Sequence, residues 1–263
     1  MTTVTKKIPK LKPMLVGLAG LALFSLVGCS NTAKKEAFYN SLEAEQIFDE
    51  GVRHLRKKDY KAAVEDFEAL EARYPFGEYG DKAQLGTLYA HLKGREYASV
   101  LAGGERFQRV YPTHDHLDYV LYLKGLASVE DLHGAMSWLP MERDERDMED
   151  THVALSDFSR LIKRYPESIY AKDAAQYVIY LRNLLAQHEI IAADYYYRRG
   201  AYLAAANRAS EIVNTYDQSP VVIDALILMV KSYRKLELHD LANNAYQVLQ
   251  SNFPNDPALA ELG

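Results

Sequence analysis

The chain has 263 residues, 48% of them hydrophobic, with 31 Lys and Arg against 36 Asp and Glu and a formal charge of −5. That length and apolar content suffice for a buried core, and the acidic balance argues against general nucleic-acid binding, which needs a basic surface. The only cysteine, Cys29, excludes an internal disulfide.

The N-terminus reads as an export signal over residues 1–28. Lys6, Lys7, Lys10 and Lys12 precede about 14 apolar or small residues from Met14 to Val27, which is short for a membrane span. Leu26-Val27-Gly28-Cys29 resembles a lipobox, with small residues before the thiol that is acylated. A plain membrane anchor fits less well, because apolarity stops at Ser30-Asn31-Thr32. Removal of the signal takes away four lysines and no acid, which leaves the mature chain at −9. Several acyl chains at one residue give lasting anchorage where one is marginal. Ser30, in place of an aspartate, points to the inner leaflet of the outer membrane. Residues 29–41 read as a lipidated tether.

A repeat organises the body of the chain. Residues at spacings of 4, 3 and 5 recur as Ala63, Phe67, Leu70, Pro75, then Val100, Gly104, Phe107, Pro112, then Ala154, Phe158, Leu161, Pro166. They return as Ala205, Ala209, Ile212, Asp217 and as Ala242, Tyr246, Leu249, Pro254. The first two spacings trace one helix face, and the proline ends the helix. A preceding helix is marked twelve residues earlier by Gly51, Leu88, Ala193 and Val230, with tight turns at Asp59-Tyr60, Glu96-Tyr97, Ala201-Tyr202 and His239-Asp240. The pattern predicts an all-α, tetratricopeptide-like superhelix of about five helix pairs.

In the third repeat Gly125 lies 29 residues before Ala154, so an insertion is expected over residues 133–150, with Trp138 and a charged run from Glu142 to Asp147. One long helix is expected from Tyr170 to Tyr197, dividing the chain into an N-terminal array, 42–167, and a C-terminal array, 168–263. No catalytic signature survives inspection. His188-Glu189 lacks the second histidine of a zinc-protease motif, and His114 with His116 reads as a polar turn without further metal ligands. The 20 tyrosines are expected to fill the spaces between layers. Neither catalysis, a metal nor a cofactor is expected.

Arg73-Tyr74-Pro75-Phe76-Gly77, Tyr111-Pro112-Thr113-His114, Ser156-Asp157-Phe158-Ser159, Asn207-Arg208 and the charged run Arg143 to Asp147 resemble the BamD family, lipoproteins of the β-barrel assembly machinery. The resemblance runs from the lipobox through all five repeats. It implies a non-catalytic scaffold on the periplasmic face of the outer membrane. Its N-terminal repeats would engage unfolded outer-membrane proteins, here through Arg73, Tyr74, Pro75, Phe76 and Gly77. Its C-terminal repeats would bind the periplasmic domain of BamA, with other Bam lipoproteins as further partners. Trp138, Arg143, Arg146, Arg198, Arg199 and Arg208 are the expected partner-facing residues. For Arg208 the competing expectation is an internal pair with Glu211, three residues on. Two other readings compete with this one: a repeat lipoprotein of pilus assembly, and a peptidoglycan-acting enzyme.

Overall fold

A computed structural model of the protein describes residues 35–132 and 145–263. Among the described residues the fold is all α, and its helices succeed one another in the five expected pairs. They are α1 (Ala44–Arg56) and α2 (Tyr60–Arg73), α3 (Glu78–Lys93) and α4 (Tyr97–Val110), α5 (Leu117–Leu132) and α6 (Glu145–Arg164), α7 (Ala171–Arg198) and α8 (Tyr202–Thr215), and α9 (Val222–Lys235) and α10 (His239–Asn252). A short α11 (Ala258–Leu262) ends the chain.

The sequence ladder is the core face. Its first three members are buried in every repeat except the last, where Tyr246 is half-buried and its hydroxyl reaches the Leu259 carbonyl of α11 at 3.4 Å. The terminal repeat is thus closed by its own C-terminal segment, as a stack of repeats requires. Four of the five second helices, α2, α4, α8 and α10, stop at an aromatic residue, Tyr74, Tyr111, Tyr216 or Phe253, whose backbone leaves the helical region at ψ 43–66°. In three of these four the next residue is proline, which bars its predecessor from helical geometry.

The turns inside the repeats share one physical device. Lys58, Arg95, Gly200 and Glu237 adopt positive φ of 60°, 63°, 77° and 59°. The succeeding N–H groups of Asp59, Glu96, Ala201 and Leu238 bond the carbonyls of His54, His91, Tyr196 and Tyr233. This left-handed closure satisfies carbonyls that a helix end would orphan.

The described helices group into two compact units, one ending at Thr87 and one beginning at Leu88, with the boundary inside α3. The expected division at residues 167 and 168 falls inside the second unit. In the first unit, the Phe67 ring is held between two glycines: a Cβ on Gly51 would stand 2.6 Å from it and one on Gly86 2.8 Å. In the second unit, α7 packs on α6 before it and on α8 and α9 after it. Its N-terminal half gives Ala171, Ala174 and Leu181 to one core, with Ala154, Phe158 and Leu161. Its C-terminal half gives Leu185, Ala186 and Ala193 to another, with Ala209, Ile212 and Leu226.

The insertion differs in part from expectation. Residues 145–150 belong to α6, which runs for 20 residues where α2, α4, α8 and α10 have 14. Met148 explains the extension, for its side chain is buried in the core shared with α7 to α10.

Candidate functional site

Three repeats carry a polar pair at one position, the residue just before the second ladder member. In the first repeat Asp66 of α2, 3% exposed, meets His54 Nδ1 of α1 at 2.5 Å. In the third, Asp157 of α6 faces Lys124 of α5, whose Nζ lies 3.3 Å from Oδ2, both side chains being buried. In the fourth, Arg208 of α8 donates to Glu189 of α7 at 2.7 Å and lies over the Tyr196 ring, 5.5 Å from its centre. The internal partner is thus Glu189 and not the Glu211 of the competing expectation, which accepts a hydrogen bond from Thr215 one turn along its own helix. The recurrence is visible in the sequence as Asp66, Asp157 and Arg208 standing at one offset from the ladder. The partners are not, because each comes from the facing helix.

The Arg73–Gly77 segment lies at the end of α2. Phe76 is 90% exposed and Gly77 adopts φ +94°, which an L side chain rarely takes. Pro75 is exposed and Tyr74 half-buried, its ring beneath the Arg73 guanidinium at 5.6 Å. Arg73 is engaged within the chain, donating to the Tyr39 carbonyl at 2.7 Å, to Asn40 Oδ1 at 3.0 Å and to the Asn40 carbonyl at 3.2 Å. Beside it the Tyr39 hydroxyl donates to Asp66 at 2.7 Å. Burial, reinforced by that hydrogen bond, pushes the hydroxyl's pKa up, so it remains a donor at neutral pH.

The second candidate surface is the turn from α7 into α8. Arg198 and Arg199 are exposed, as a tight turn requires. Arg198 pairs with Asp194 at 2.9 Å, and Arg199 lies over the Tyr195 ring at 5.2 Å. Alongside, α7 and α9 enclose an open cleft of about 390 Å³. Ile190, Ile191, Ile227 and Leu228 line it with Asp194, Arg198, Asp224 and Lys231. The structure brings Arg198, Arg199 and Arg208 onto the elements flanking one turn, but gives each an intrachain contact. Cys29, Trp138 and Arg143 lie outside the described residues. Arg146 is in the first turn of α6, and its side chain also lies outside them.

His114 is half-buried in the turn after α4. Its ring packs edge-on to Phe107 with centres 5.1 Å apart, and its Nδ1 accepts the His116 backbone N–H at 3.1 Å. Tyrosines likewise fill layers. Tyr122 stacks on Tyr170 at 4.7 Å, Tyr177 stacks on Phe158 at 4.8 Å, and the Tyr122 hydroxyl donates to Asp173 at 2.6 Å. Among the described residues no helix is long and apolar enough to cross a membrane.

A family of outer membrane lipoproteins, YfiO, matches residues 40–249. Relatives named outer membrane protein assembly factor BamD span nearly the whole chain. That of Vibrio cholerae is 36% identical, covering 88% of this chain and 95% of its own. That of Neisseria gonorrhoeae is 36% identical, covering 94% and 93%, and that of Xylella fastidiosa 36%, covering 91% and 82%. With an all-α repeat fold and a matching family over most of its length, this chain belongs to the BamD family of outer-membrane protein assembly factors.

Proposed function

We propose that the chain is a non-catalytic scaffold of the β-barrel assembly machinery, held by lipid on Cys29 at the periplasmic face of the outer membrane. Its N-terminal repeats receive unfolded outer-membrane proteins, and its C-terminal repeats bind the periplasmic domain of BamA. The observation that carries this reading is the match to assembly factors over 88% and 94% of the chain. The α7–α8 turn supports the docking half. Two exposed arginines stand at a cleft of mixed apolar and charged lining on a chain of negative charge, which suits a partner presenting carboxylates to the arginines.

Arg199 gives the sharper test, because charge reversal at Arg208 would also set two acids together at Glu189. Arg199→Glu should leave helicity and melting unchanged. It should cut BamA captured from solubilised outer membranes by about tenfold, as expected when one interfacial charge is reversed. Lys172→Glu, also exposed on α7, should not. Undiminished capture by the Arg199→Glu protein removes this turn from the interface.

A further inference from the structure

Residues 35–40 form a short helical stretch ahead of the first repeat, and among the described residues its side-chain ion pair and hydrogen bonds to the repeat fall on α2. Lys35 pairs with Glu65, the Tyr39 hydroxyl donates to Asp66, and Arg73 donates to the carbonyls of Tyr39 and Asn40 and to Asn40 Oδ1. The Tyr39 carbonyl also accepts the Leu42 N–H at 3.1 Å, so the guanidinium fork adds a second bond there and reaches Asn40 on both its carbonyl and its side-chain oxygen. Apart from the Tyr39 hydrogen bond, which ends on the buried Asp66 carboxylate, the contacts are an exposed ion pair and exposed hydrogen bonds, each weak by itself. They also recognise little that is particular to residues 39 and 40. Two of the three acceptors at Arg73 are backbone carbonyls, which any unfolded polypeptide brings in quantity. Three residues beyond Arg73 stands Phe76, an aromatic ring 90% exposed, which is ready-made apolar contact for such a chain.

We propose that residues 35–41 are a self-ligand, a strap that occupies Asp66 and Arg73 within a polypeptide-binding surface that continues to the uncovered ring of Phe76. An unfolded outer-membrane protein lifts the strap by placing its own unpaired carbonyls at Arg73. The proposal rests on the reading that the N-terminal repeats receive unfolded substrates, and it adds that the free protein is partly self-blocked. A strap closed nine-tenths of the time lowers apparent affinity about tenfold, and its removal restores that factor.

The test uses the mature chain and, as probe, a fluorescently labelled outer-membrane β-barrel protein diluted from urea. Replacing residues 35–40 with a Gly/Ser linker of equal length keeps the tether and removes the strap. This variant should bind the probe about five- to tenfold more tightly than the parent. Adding Arg73→Ala to the linker variant should abolish the gain, and circular dichroism should stay unchanged since Arg73 is exposed. In the parent, hydrogen exchange of residues 35–41 should quicken when the probe is added. A linker variant that binds no more tightly, or a gain that survives Arg73→Ala, overturns the proposal and makes the strap a permanent cap of the first repeat. Exchange that stays slow while the probe is bound does the same. If no form binds the probe, the substrate reading itself falls, and the competition with it. Faster exchange of the strap in Arg73→Ala without probe still reports the latch separately.

Discussion

At the scale of single residues, the polar pairs inside the repeats decide more than the surface charges do. Lys124 reaches Asp157 only because Gly104 leaves room: a Cβ there would stand 2.7 Å from Lys124 Cγ. Burial holds the Asp157 carboxyl above the usual carboxylate range, against the opposing pull of Lys124. An acid whose folded-state pKa is raised favours the fold when protonated. Its contribution is therefore greatest below its unfolded pKa and fades as pH rises through the folded value. Asp157→Asn alone should cost about 3–5 kcal/mol near neutral pH, since it strands a buried ammonium. Lys124→Met with Asp157→Asn should recover most of that loss. Relative to the parent, the double variant should become more stable as pH is raised from the ordinary aspartate range towards neutrality. Denaturant titrations across that range check both statements, and equal pH slopes for parent and double variant would remove the burial argument. Such a pair is hidden in the sequence. Asp157 stands out there by its offset from the ladder and within the segment Ser156 to Ser159, but nothing along one helix says which residue of its neighbour it meets. Arg208 teaches the same lesson. Spacing along the helix offers Glu211, whereas packing supplies Glu189 from α7.

At the scale of helices, aromatic rings take the space that small residues leave. Phe158 has Gly125 against one part of its ring, where a Cβ would come within 2.6 Å, and Tyr177 stacked 4.8 Å away at 6°. The ring has no direction in which to yield. Gly125→Ala should therefore lower stability by about 1–3 kcal/mol through overpacking, although alanine favours a helix by about 1 kcal/mol over glycine at an open site. Gly→Ala at a position with space around it would show that opposite sign, so a rise in melting temperature for Gly125→Ala would refute the fit. The ladder is legible because its spacing is set by the helix itself and its prolines sit where helices stop. The start of α6 is not. Glu145 to Asp150 carries five charges in six residues and reads as a solvated run, while the one residue that fixes it, Met148, is a lone apolar signal among them. The unit boundary inside α3 is equally silent, since no break in composition marks Thr87 from Leu88. Of the candidate sites, the exposed pair Arg198 and Arg199 comes directly from a predicted turn. The engagement of Arg73 by Tyr39 and Asn40 needs contacts across more than thirty residues, which no local pattern announces.

For the molecule as a whole, the anchor and the first repeat bear on each other. Six residue steps separate Cys29 from Lys35, and a chain fully extended spans at most about 3.6 Å per residue. Lys35 can then lie no more than about 22 Å from Cys29, and Lys35 is already paired with Glu65 of α2. On the proposed acylation of Cys29, the first repeat would be held close to the same membrane face. The Arg73–Gly77 segment would then be within reach of chains arriving at the bilayer, and the thiol of Cys29 would be decisive for location. Cys29→Ala should block acylation and signal removal, so the protein should fractionate as a larger precursor with the inner membrane rather than with the outer. Radiolabelled palmitate should be found in the parent and not in the variant. The fold should stand without the lipid, because the buried ladder residues lie on helices that begin only at Ala44, well beyond Cys29. A mature-length chain without the signal should accordingly keep the helicity and melting temperature of the lipidated form, yet fail to replace it in cells. Palmitate on the Cys29→Ala protein would overturn the anchor. Full replacement by the unlipidated chain would show that nearness to the membrane is not what the tether provides.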